Sequence, residues 1–215
     1  MTAVPAVPDR RFFVLLGTDG AGKSSAMAHI AERWPQWRLL STDSRFVDAE
    51  YGLVRELRRG VVRDVLPGLG RTYSMDFLTS MLQTAVVHLK DRIEAQDPGT
   101  PVLVDSYYYK ILAKCRIFGA RHNPMYTWWR SFPQPAGVVF LDVAPETAWR
   151  RSRAGELLNP LEYLGETPEW FSFESYQKSL RKLLLEEVRH VPVTVIDEQP
   201  SAARAAEAVM EVVTA

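Results

Sequence analysis

The segment Gly17-Thr18-Asp19-Gly20-Ala21-Gly22-Lys23-Ser24 has residue types and a spacing suited to holding a phosphate chain. Its glycines let backbone N–H groups turn inward, through dihedrals that a Cβ resists. Lys23 can reach the outer phosphates, and the Ser24 hydroxyl can ligate Mg²⁺. Every position fits the pattern G-x-x-x-x-G-K-[ST]. The bland alternative is a glycine turn before a helix. The phosphate reading assigns Gly17, Asp19, Gly20, Ala21, Gly22, Lys23, Ser24 and Ser25 to ATP.

Such a loop needs a strand before it and a helix after it, since the helix N-terminus adds a positive dipole end. The apolar run Phe12–Leu16 and the periodic stretch Ala26–Trp34 meet that need. Further strands are predicted at Trp37–Ser41, Pro101–Asp105, Val138–Val143 and Val193–Ile196. Helical spacing recurs through Val54, Leu57, Val61 and Val65, ended by Pro67-Gly68, and through Leu78 to Ile93. Pro145 opens a helix to about Ala154, and further helices cover Tyr176 to Val188 and Ala202 to Val213. Alternation of strands and helices predicts a parallel sheet with helices on both faces. No linker divides the chain, so one domain is expected over 1–215, with a short tail at 1–10. The weakly periodic stretch 154–166 is a candidate lid.

Ligands in such sheets bind at the carboxyl ends of strands, where Asp105, Asp142 and Asp197 lie. Asp105 can sit near a metal ion or cap the helix after Ser106. Asp142 reads as a cap or a supporting group. Arg150, Arg151 and Arg153 can close over a transferring phosphoryl group or form a solvated helix end. Asp19 can form an Asx turn within the loop.

The chain has 215 residues, 47% of them apolar, with 26 basic and 26 acidic side chains and zero formal net charge. That balance argues against a nucleic-acid polymer as partner, which usually requires a basic excess. A single cysteine, Cys115, excludes an internal disulfide and reads as a packed side chain. No apolar run is long enough to span a membrane, and Met1 to Asp9 has no basic-then-apolar pattern of a secretory leader. A cytoplasmic protein is expected. His29, His88, His122 and His190 are scattered without zinc-site spacing.

With the loop, three segments carry a resemblance: Val102-Leu103-Val104-Asp105-Ser106-Tyr107; Val138 to Glu146 followed by Ala148, Arg151 and Arg153; and Val195-Ile196-Asp197 before the last helix. In order and spacing, from about Arg11 to Val213, the chain resembles the thymidylate kinase family of nucleotide kinases. The resemblance implies a three-layer P-loop NTPase fold with a five-stranded parallel sheet and a lid after the fourth strand. It also implies ATP γ-phosphoryl transfer with Mg²⁺ held by Ser24 and Asp105, catalysis by Lys23, Arg151, Arg153 and Asp105, and pairing into a homodimer. Asp19 would face a sugar hydroxyl of the acceptor, and Glu198-Gln199-Pro200-Ser201 would pass the adenine.

The acceptor half departs from that family. Ser106 and Met81 stand where it has arginines, with Gln83 two residues beyond Met81. Thr42-Asp43-Ser44-Arg45-Phe46 replaces a proline- and glycine-rich motif. The positions that read thymine fall at Lys110, Ile111, Lys114 and Cys115, and none matches. A monophosphate is usually gripped by bidentate arginines. Arg45, Lys110 and Lys114 can substitute, or the acceptor carries no phosphate. Asp19, Arg45, Phe46, Gln83, Tyr107, Lys110 and Lys114 are the candidate acceptor residues. Among Tyr107-Tyr108-Tyr109, Phe118, Tyr126, Trp128 and Trp129, at least one ring is expected to face the substrate. The reading is a kinase acting on a nucleotide, nucleoside or related small molecule other than dTMP. Its rival is a regulatory ATPase or switch without an acceptor.

Overall fold

The structure is a computed structural model, which describes residues 12–215. The tail expected at 1–10 lies outside the described residues. Five strands form one parallel sheet: β1 Phe12–Gly17, β2 Arg38–Leu40, β3 Val102–Asp105, β4 Gly137–Asp142 and β5 Val193–Asp197, in the order β2-β3-β1-β4-β5. All five match predicted strands to within two residues. Central strands here bury both faces, as parallel sheets do. Val14, Leu16, Val104 and Phe140 enter one core, and Leu15, Leu103, Val139 and Leu141 enter the other.

Helices α1 Lys23–Arg33 and α8 Ala202–Thr214 cover one face. The other is covered by α3 Met75–Glu94, α4 Tyr109–Ile117, α5 Met125–Arg130 and α7 Trp170–Glu187. Both face layers bury apolar stripes, giving three layers. Ser74 caps α3 by accepting from the Phe77 N–H at 3.0 Å, and Ser201 caps α8 through the Arg204 N–H at 3.2 Å. No helix among the described residues is long and apolar enough to cross a membrane.

The helix expected through Val65 is broken. Helix α2 covers only Gly52–Gly60, a π-helical turn covers Val61–Val65, and a 3₁₀ turn covers Leu66–Gly68. The altered winding turns Val61, Val65 and Leu66 into a third small core with Leu78 and Leu161. Helix α6, Pro145–Arg151, is also shorter than expected. Arg153, Ala154 and Gly155 all have positive φ, so the chain leaves α6 in a left-handed turn. Residues 154–166 form turns and bends rather than a helix, and Leu161 among them is buried.

Candidate functional site

Strand register builds the site. Leu15 pairs with Asp105, and Gly17 pairs with Leu141, so the glycine loop emerges between the ends of β3 and β4. This is the point where the strand order reverses, the usual ligand crevice of such sheets. At Gly17 a Cβ would meet the Leu141 carbonyl oxygen at 2.7 Å, and at Gly20 it would meet the Ala148 Cβ at 3.0 Å. The second contact seats the loop on α6. One helical turn beyond Ala148, the Arg151 guanidinium donates to the Gly20 carbonyl at 2.9 Å and lies 4.0 Å from Glu198.

Gly22 stands at the N-cap of α1 with φ 90°, and no side chain caps that helix. Its first N–H groups are therefore open to an anion. Lys23 is buried, and its ammonium donates to the carbonyls of Gly17 and Thr18 at 3.1 and 3.2 Å. Burial, and then the neighbouring Lys110 ammonium, pull the Lys23 amine well below its ordinary value. This desolvated cation cradle fits a phosphate chain. Ser24 and Ser25 line the same space.

Inside the loop, Asp19 is held on several sides. Lys110 and Lys114, four residues apart on one face of α4, reach its two carboxylate oxygens at 2.7 and 3.0 Å. From α7, the Tyr176 hydroxyl donates to Oδ2 at 2.5 Å, and the Gln177 amide donates to the Asp19 carbonyl at 3.0 Å. Burial alone would push this carboxyl up. The two ammoniums outweigh it and hold the carboxyl well below the usual range. The Asx turn considered for Asp19 gives way to this network.

Asp105 accepts from Ser41 at 2.9 Å and from Ser106 at 2.7 Å. It caps no helix, since α4 begins after Tyr108 without a side-chain cap. Each of its oxygens keeps a lone pair, so Asp105 and the Ser24 hydroxyl form a hard-oxygen set suited to Mg²⁺. That ion typically binds through one or two protein oxygens plus phosphates and water. Among the described residues, no cluster of three or more His, Cys, Asp or Glu side chains could hold a metal alone. Asp142 neither caps α6 nor faces the loop. It forms a bidentate pair with Arg181, at 2.6 to 3.2 Å.

The glycine loop, Lys23, Asp19 and Asp105 open on one cavity of about 790 Å³. Glu198, Gln199 and Ser201 line one end, beside the glycine loop; Asp105, Tyr107, Lys110 and Lys114 stand towards the other. Five of the expected site residues lie outside its lining: Gly17, which ends β1 beneath the loop, and Arg45, Phe46, Gln83 and Arg153. A tight turn, with the Phe46 N–H on the Asp43 carbonyl at 2.9 Å, leaves Arg45 exposed and packs Phe46 against the second core. On α3 the lining comes from Met81, Leu82, Thr84, Ala85 and Leu89; Gln83 is about 200° around the helix from Met81. The left-handed turn after α6 separates Arg153 from Arg151. Of the weighed aromatic group, Tyr107 alone lines the cavity. Tyr108 and Tyr109 are buried beneath it, both within reach of the Gln134 side-chain oxygen. Cys115 is buried, accepting from the Thr79 hydroxyl at 3.4 Å.

The sequence reading missed Tyr176, Gln177, Arg58 and Glu162. Tyr176 stood on an apolar helical face, and nothing in its spacing marked the hydroxyl as a partner of Asp19. The four-residue interval between Lys110 and Lys114 was a usable signal for two cations converging on one target.

At the level of sequence, no family model and no curated protein matches the chain. Solved structures do match. The structure of deoxyadenosine kinase from M. mycoides with bound dATP superposes with a TM-score of 0.64 at 14% identity, over 95% of this chain and 100% of that one. The same enzyme with dCMP and dCDP gives 0.62 at 14% identity, over 94% and 98%. Thymidylate kinase from Candida albicans gives 0.65 at 15% identity, over 95% and 91%. Together with the five-stranded parallel sheet, these matches establish the fold as the three-layer P-loop architecture of nucleoside and nucleotide kinases.

Proposed function

We propose that the chain is an ATP-dependent kinase that transfers the γ-phosphoryl group to a nucleotide, nucleoside or related small molecule other than dTMP. The observation that carries this reading is one cavity joining two ends. Lys23, the open N-terminus of α1 and Arg151 converge at one end, and the lining continues past Asp105 into a separate chamber. A phosphoryl donor and an acceptor need that arrangement, because the reaction depends on alignment and charge neutralisation more than on covalent chemistry. ATP with Mg²⁺ would supply the phosphoryl group and offset its charge.

The chain's own residues divide the remaining work. Backbone N–H groups of Gly20 to Ser24 cradle the phosphates, and the Lys23 ammonium neutralises their outer oxygens. Arg151 stabilises charge on the transferring group from the base of a lid at 154–166. Glu198, Gln199 and Ser201 border the adenine. Ser24 and Asp105 hold Mg²⁺, and Asp105 also orients the acceptor. Asp19 anchors Lys110 and Lys114 in the acceptor half. We read the protein as a single cytoplasmic domain that pairs into a homodimer.

A coupled ADP-release assay over nucleosides, nucleoside monophosphates and small hydroxylated metabolites tests the reading. Acceptor-stimulated turnover, lost in Lys23→Ala, supports it. Slow ATP hydrolysis indifferent to every acceptor would instead indicate a regulatory ATPase.

A further inference from the structure

Resting on the reading of this cavity as a phosphoryl-transfer site, we propose that the acceptor is an uncharged alcohol with an aliphatic body. The chamber beyond Asp105 is walled by Leu57 of α2, Val61, Met81 and Leu82 of α3, Ile111 of α4 and Leu161 of the lid segment. Four separate chain segments thus bring aliphatic side chains to one space continuous with the phosphate cradle. Among the described residues, the only aromatic ring on the lining is Tyr107, which packs edge-on against Phe12 with centroids 5.7 Å apart.

Several polar groups of this chamber are matched within the protein, while the Tyr107 hydroxyl is buried without a hydrogen-bond partner. Arg58 donates to the Thr42 carbonyl at 2.7 Å, and Lys110 and Lys114 are held by Asp19. Glu162 lies 3.6 Å from Lys114 and accepts from the Asn159 N–H at 3.3 Å. The Asn159 side chain in turn accepts from the Leu161 N–H at 2.9 Å, and Thr84 donates to the Met81 carbonyl at 2.7 Å. Arg58 is held only by a neutral carbonyl, so a dianionic phosphate would find here one cation not paired with a carboxylate, where such a group is usually gripped by several. A nucleobase would bring a polar edge to walls that offer it few unengaged partners. An aliphatic body fits the walls, and its hydroxyl needs one carboxylate, which Asp105 presents at the junction of the two ends.

The step balances without a further reactant. The alcohol oxygen forms a bond to the γ-phosphorus of ATP, and the bond from that phosphorus to the β,γ-bridging oxygen breaks. ADP leaves, and the hydroxyl proton is released to solvent. The products are an alkyl phosphate, ADP and a proton.

The test incubates the full chain and Mg-ATP with 1-octanol, with thymidine and deoxyadenosine, and with their monophosphates. The proposal expects octanol to raise ADP release at least about tenfold over the acceptor-free rate, with octyl phosphate found by mass spectrometry. Turnover with a nucleoside or monophosphate while octanol is inert overturns the proposal and leaves the kinase reading intact. Octanol binding is read separately by saturation-transfer NMR. It should persist in Lys23→Ala, which cannot process ATP, and weaken at least about fivefold in Leu57→Gln and Met81→Gln, two half-buried positions on different helices. Octanol that fails to bind wild type, or binds both glutamine variants equally well, also overturns it. Failure to bind Mg-ATP counts against the kinase reading itself.

Discussion

The Lys110 ammonium sits 2.7 Å from Oδ1 of Asp19, an acidic residue placed within the phosphate loop itself. The pair ties α4 to the loop, and Lys110 also crowds Lys23, so one lysine sets the electrostatics of both ends of the cavity. Burial pulls Lys110 down, but Asp19 and then Asp105 outweigh that and leave it above its ordinary value.

Asp19→Asn should destabilise the fold by about 3 kcal/mol in urea titrations, because it removes the carboxylate shared by two largely buried ammoniums and leaves Lys114 only Glu162, at 3.6 Å. Folding lowers this pKa, so the contribution is present above the unfolded value of 3.8 and is lost as pH falls towards the folded value. Wild-type stability should therefore drop below about pH 4, and the variant should show a flatter acid limb.

Mg-ATP binding should take up protons near pH 8. Burial and Lys110 lower the Lys23 pKa in the free protein, and a bound triphosphate raises it again. Calorimetry in two buffers of different ionisation enthalpy reads the uptake directly. Lys23→Arg, whose guanidinium stays charged, should bind with little or no uptake.

Arg151→Ala should lower kcat by about 10³ with a smaller effect on KM for ATP, if this guanidinium acts mainly on the transition state. Arg153→Ala should change kcat less than about twofold, because that side chain lies outside the cavity lining. Equal losses in the two variants would contradict the assignment.

Met81→Arg adds a guanidinium on the cavity face of α3. Affinity for nucleoside monophosphates should rise by about tenfold or more, since a charge-assisted contact contributes roughly 1.5–3 kcal/mol. Equilibrium binding of a monophosphate to wild type and variant measures the change.

The proposed donor end can be stated from the chain alone, because its chemistry is local. A phosphate nest is made by consecutive backbone groups, so Gly17 to Ser24 state it in a single motif, and the apolar alternation around it states the parallel sheet. The acceptor half is assembled from residues far apart in sequence, and only tertiary packing could decide it. Arg45, Gln83 and Arg153 were all cations or polar groups of suitable type, yet a tight turn, a helical phase and a left-handed exit from α6 direct them elsewhere. Lys110 and Lys114 are spent on Asp19 from 91 and 95 residues further along the chain, and Tyr176 joins them from 157 residues further along. Apart from the four-residue interval between Lys110 and Lys114, such long-range pairings leave no periodic trace, since each depends on which helix faces settle against the sheet.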